Sequence, residues 1–136
     1  MREGWLRAAI LVGVLYLAAN MALGALAGAA ASDRLRFLWR VSALAVSALV
    51  FAVHIAYEHF RFRNRARPTA WHASVAVALG AFGLALAANL HDLGSASGYR
   101  PRMLIALVAW PLLTAVPAFL VALGMAAGLG VKRRDV

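Results

Sequence analysis

Four long apolar stretches constrain this chain more than any other feature. They run over about Trp5–Ala31, Leu38–Phe60, Thr69–Asp92 and Pro101–Val131, with only short polar linkers between them. An α-helix needs about 20 mostly apolar residues to cross a hydrocarbon layer of about 30 Å, and each stretch is long enough. Backbone N–H and C=O groups cannot be left open in hydrocarbon, so the stretches predict helices that satisfy their own hydrogen bonds. The runs are continuous and lack the alternation of lipid-facing strands, which excludes a membrane barrel. Short linkers force neighbouring helices to be antiparallel. The expected fold is therefore all-α: one integral membrane domain over residues 1–136, built as a four-helix up-down bundle.

Composition agrees. Hydrophobic residues make up 64% of the chain and charged residues 14%. A soluble domain has about 45–50% and about 25%. The net charge of +9 raises nucleic-acid binding as a reading. The basic residues lie at the ends of apolar stretches and form no basic helix face, so that reading is rejected. Cysteine is absent, which excludes disulfides, thiolate metal sites and thioether-attached haem. Ala29-Ala30-Ala31 before Ser32 resembles a small-residue cleavage site behind a basic N-terminus. The apolar run ahead of it is about twice the usual signal-peptide length of about 7–15 residues, so the first stretch is read as a spanning helix.

The loops carry the orientation. Arg61, Arg63, Arg65 and Arg67 crowd the second loop, and Pro68 suits the first turn of the helix behind it. With Arg2, Arg7, Lys132, Arg133 and Arg134, the side holding both termini collects nine basic residues. The opposite side has five: Arg34, Arg36, Arg40, Arg100 and Arg102. Positive charge is retained in the cytoplasm, so both termini and the arginine loop are expected there, across a bacterial-type inner membrane. Phe37, Trp39 and Arg40, and later Tyr99, fit interfacial anchors.

Polar and small residues interrupt the apolar runs. Asn20 falls near mid-membrane in the first helix, and Asn89 near the far end of the third. Gly24 and Gly28 follow Asn20 at helical spacing, and Gly124 and Gly128 repeat that spacing in the fourth helix. Ala43 and Ser47 mark the second helix, and Ser74, Ala78, Gly80 and Gly83 the third. Small residues let helix backbones approach, and asparagine can hydrogen-bond across the contact, so these faces predict helix packing within the chain or with another. Trp110-Pro111 and Pro117 predict kinks in the fourth helix.

Three of the four histidines and an acid at membrane depth lie within residues 53–72. His54 and Glu58 are four apart on one helix face. Antiparallel packing across the arginine loop brings His72 beside them, while His59 points elsewhere. Three readings follow. In the structural one, Glu58 pairs with Arg61 or Arg65, and the two histidines hydrogen-bond across the helix pair, because ionisable groups at depth are normally partnered. In the second, His54, His72 and Glu58 bind a divalent metal, or the two histidines hold one haem, in a small redox subunit. In the third, His54 and Glu58 relay protons in an oligomeric transporter or channel. No H-E-x-x-H, phosphate-binding loop or dinucleotide glycine pattern is present. His91-Asp92 reads as an interfacial helix cap. The structural reading leads: a non-enzymatic accessory or interaction subunit, without cofactor, whose partners are the bilayer and other membrane helices.

Overall fold

The computed structural model describes residues 3–62, 65–94 and 102–132. Arg2, Arg63, Tyr99, Arg100, Arg133 and Arg134, which enter the orientation argument, lie outside the described residues. Within them the chain is all α-helix: α1 Glu3–Gly28, α2 Asp33–Arg61, α3 Ala66–Leu93 and α4 Arg102–Lys132. All four are long and apolar enough to cross a membrane.

The helix ends differ from the apolar boundaries for local reasons. Helix α2 begins at Asp33, ahead of the interfacial anchors, because the extended Ser32 accepts a hydrogen bond from the Leu35 N–H at 3.3 Å. A serine cap satisfies an orphan donor, and Asp33 in the first turn complements the helix dipole. Asp33 also pairs with Arg36 at 2.8 Å. Helix α3 begins at Ala66, which places Pro68 inside its first turn, where no N–H is needed. Helix α4 continues through both Pro111 and Pro117. Between the two prolines, the Thr114 hydroxyl donates toward the Trp110 and Pro111 carbonyls at 2.9 and 3.1 Å.

Helix α3 is the hub. It packs extensively on α4 and on α1, α2 leans mainly on α1, and α1 and α4 do not touch among the described residues. The hub residues are small: Ala70, Ala73, Ala76, Gly80, Ala81 and Ala85 are all buried. Small side chains let neighbouring backbones approach, and that is the main source of attraction where lipid tails remove the hydrophobic drive between helices. The closest seam joins α1 and α3. A Cβ on Gly13 would lie 2.9 Å from the Leu79 Cβ, and one on Gly80 would lie 2.8 Å from the Tyr16 Cβ. Gly83 sits against Leu17.

Side-chain bonds set the register. The Asn20 amide donates to the Ser47 hydroxyl at 3.1 Å, tying α1 to α2, and to the Tyr16 carbonyl at 2.9 Å. The Asn89 amide donates to the Met103 carbonyl at 2.9 Å, tying α3 to the start of α4. Pairings rise together along α1 and α3 (Gly13 with Leu79, Leu17 with Gly83) and run in opposite order between α1 and α2 (Gly4 with Phe62, Asn20 with Ser47). The apolar core gathers where the end of α2, the start of α3 and the last third of α4 converge, around Ile55, Ala70, Ala73, Ala122 and Ala126. Elsewhere large apolar side chains face outward, with Leu11, Leu44 and Leu113 each about 70% exposed. In water such surfaces would drive aggregation, whereas lipid tails accept them.

Candidate functional site

The polar cluster grows from the last two turns of α2. His54 and Glu58 share one face, Ile55 and His59 the neighbouring one, and these are the buried residues of that helix. The Ile55 face enters the apolar core beside Ala70 and Ala73. The His54 face meets the start of α3. There His72 Nδ1 lies 2.9 Å from Glu58 Oε2, with the carboxylate side chain fully buried and the imidazole nearly so. A single proton between Nδ1 and Oε2 serves both groups. His54 lies one turn before Glu58 on the same face and near His72, so both histidines and the acid form one patch.

Helix α1 closes the patch. The Trp5 indole stacks on the His72 ring, with centroids 4.4 Å apart and planes within 7° of parallel. Stacking fixes the imidazole plane, and the indole covers a ring face that water would otherwise reach. Nothing near Trp5 in the sequence announces this contact; an aromatic at a span end reads as a lipid anchor. His59 and Thr69 are also buried, and His59 Nδ1 and Nε2 and the Thr69 hydroxyl lack hydrogen-bond partners. The sequence reading singled out neither. A histidine five residues from His54 lands on the next face, and that face turns out to be covered as well.

The other singled-out residues lie apart from this patch. Asn20 and Asn89 bond to neighbouring helices, as described above. Arg61, Arg65 and Arg67 are exposed around the α2–α3 turn. His91 is exposed in the last turn of α3, where the Gly94 N–H caps its carbonyl at 3.2 Å. The glycine pairs divide in an unexpected way. Gly24, Gly28, Gly124 and Gly128, which carry the regular spacing, have nothing within 4 Å of where a Cβ would stand, whereas Gly13, Gly80 and Gly83 make the tight contacts.

Chemically, the patch can hold a proton between a carboxylate and an imidazole away from water. The His72 ring already has one nitrogen committed to Glu58. Among the described residues, no three His, Asp or Glu side chains are grouped so as to hold a metal ion. Comparison with models of protein families, with curated proteins and with solved structures finds no match to this chain.

Proposed function

We propose that this is an accessory or interaction subunit of a bacterial-type inner membrane, performing no chemistry of its own and mating with helices of a partner or of a second copy. The observation that carries the reading is the outward placement of Gly24, Gly28, Gly124 and Gly128, which leaves two small-residue stripes open on helices that do not touch each other. Internal packing uses other glycines, so these stripes contribute nothing to the chain's own seams. Small residues four apart are the surface on which a second membrane helix packs closely. The bundle runs up-down with both termini and the arginine loop in the cytoplasm, as the nine-to-five distribution of basic residues favours. The buried His54–Glu58–His72 patch then acts as polar mortar at the cytoplasmic end.

The test is association in the membrane. Gly24→Leu/Gly28→Leu and Gly124→Leu/Gly128→Leu should keep the helical spectrum and unfolding midpoint, because the added side chains meet open space. At least one pair should lose the crosslinked dimer or the partner captured by in-membrane crosslinking. Crosslinks that persist unchanged in both variants would refute the reading. Orientation is checked separately with single cysteines in this cysteine-free chain. An impermeant thiol reagent should label Ser97→Cys in intact spheroplasts, and Asn64→Cys only after permeabilisation.

A further inference from the structure

A groove of about 350 Å³ runs between α1 and α2 toward the end opposite the α2–α3 turn. Leu23 and Gly24 form one wall, Ala43 and Leu44 the other, with Asn20 at the deep end and Arg40 at the mouth. The order follows from the helix pairing. Asn20 is tied to Ser47, and Arg40 lies seven residues nearer the start of α2, about 10 Å along the axis. The groove is open because Gly24 and Ala43 are small, and no atom lies within 4 Å of where a Gly24 Cβ would stand.

The charge at the mouth is uncompensated. Arg40 is exposed and makes no ion pair among the described residues, and the nearest acid in the sequence, Asp33, is committed to Arg36 at 2.8 Å. The first two turns of α2 carry Arg34, Arg36 and Arg40 against that single acid. Helix α2 has 29 residues and is about 42 Å long, so a hydrocarbon layer of about 30 Å leaves about 6 Å of helix outside at each end. The Arg40 backbone therefore starts about 4 Å inside the apolar layer. Its side chain must reach outward along the groove mouth to bring the charge to headgroup level.

We infer that this groove holds one anionic phospholipid, with its phosphodiester on the Arg40 guanidinium and one acyl chain lying over Gly24 between Leu23 and Leu44. Charge selects the headgroup. A guanidinium presents a planar fork of donors that fits phosphate oxygens two at a time. A zwitterionic lipid brings its own cation to this excess of arginine, whereas an anionic one offsets it. The walls select a lipid over a free phosphate, because the Asn20 amide hydrogens are already donated to Ser47 and Tyr16 and the other lining residues are apolar. A groove between α3 and α4, lined by Trp71, Val75, Leu112, Val116 and Phe119, has apolar walls and no charged residue, and serves as a built-in control. A lipid on Gly24 leaves the Gly124/Gly128 face to a partner helix, so the inference narrows the association reading without resting on it.

The experiment titrates dioleoylphosphatidylglycerol into the full chain in dodecyl maltoside and follows retained lipid by native mass spectrometry. Dioleoylphosphatidylcholine is the net-neutral reference with identical tails. One phosphatidylglycerol should be retained in a saturable step, about fivefold more tightly than phosphatidylcholine. Arg40→Gln should remove that preference and Arg40→Lys should keep part of it. Arg34→Gln, which removes the same charge from outside the groove, should leave most of it. Gly24→Leu, whose side chain fills the groove, should lose the retained lipid, while Val116→Trp in the control groove should not. If Arg40→Gln loses its helical spectrum, Gly24→Leu and the comparison of the two lipids decide the matter alone. Equal retention of both lipids, equal losses in Arg34→Gln and Arg40→Gln, or unchanged retention in Gly24→Leu would each overturn the assignment. So would in-membrane crosslinks lost in Arg40→Gln with no lipid retained by the unaltered chain, since a partner's acid would then be the counter-ion. Crosslinks through the Gly124/Gly128 face are a separate readout, so the association reading stands or falls on its own.

Discussion

Gly80→Ala gives the sharpest test of the α1–α3 seam. The new Cβ would stand 2.8 Å from the Tyr16 Cβ and 3.1 Å from the Gly13 carbonyl oxygen. Carbon atoms prefer separations of about 3.5–4.0 Å, so the shortfall is about 1 Å. Neither neighbour is the far end of a flexible side chain, and the helices must part. Such overpacking costs about 1–3 kcal/mol. Alanine regains about 1 kcal/mol over glycine in a helix interior, leaving a net loss of about 1 kcal/mol. Gly124→Ala meets no atom within 4 Å and collects only the helix gain. The two substitutions should therefore differ by about 2 kcal/mol with opposite signs. Gly83→Ala should fall between them, because its close neighbours are the methyls of Leu17, which can rotate away. Gly13→Ala demands the same separation as Gly80→Ala, since each glycine's backbone faces the other, so the double variant should cost less than the sum. The assay is reversible unfolding by SDS titration in mild detergent, followed by far-ultraviolet circular dichroism. A Gly80→Ala variant as stable as Gly124→Ala would refute the packing of α1 on α3.

Other outcomes follow from single contacts. Glu58→Ala should destabilise by about 3–5 kcal/mol in the same titration, because it strands one partner of a buried pair, and Glu58→Gln by clearly less, since the amide can still bond to His72. An Asn20→Ala/Ser47→Ala double-mutant cycle should give a coupling of about 0.6 kcal/mol, the usual size for an interhelical bond in a membrane; zero coupling would remove that bond. Ser32→Ala should cost about 1 kcal/mol and Ser32→Gly only a few tenths, as expected for a helix cap. Protein purified in mild detergent should be colourless and free of stoichiometric metal. A Soret band, or a metal lost together in His54→Ala and His72→Ala, would move the polar patch to the redox-subunit reading.

Helix number was legible in the residues, because a membrane span is a local property. Length and apolarity set it, and every backbone bond closes within the segment. The meeting of His54, Glu58 and His72 was legible too: the first two stack four apart on one helix, and a short loop returns His72 to the same end. Glu58 meets His72 at 2.9 Å.

What only the tertiary structure decided is which face each helix turns inward. In a soluble helix the apolar stripe marks that face, but a span is apolar all round, and lipid accepts any side of it equally. The regular spacing of Gly24/Gly28 and Gly124/Gly128 left open whether those faces pack inside the chain or on another, and the internal seam runs through Gly80 and Gly83 of the third-helix small face with Gly13 opposite, a residue in no such motif. The same blindness hid Trp5, which lies on the His72 ring from a position 67 residues earlier in the chain.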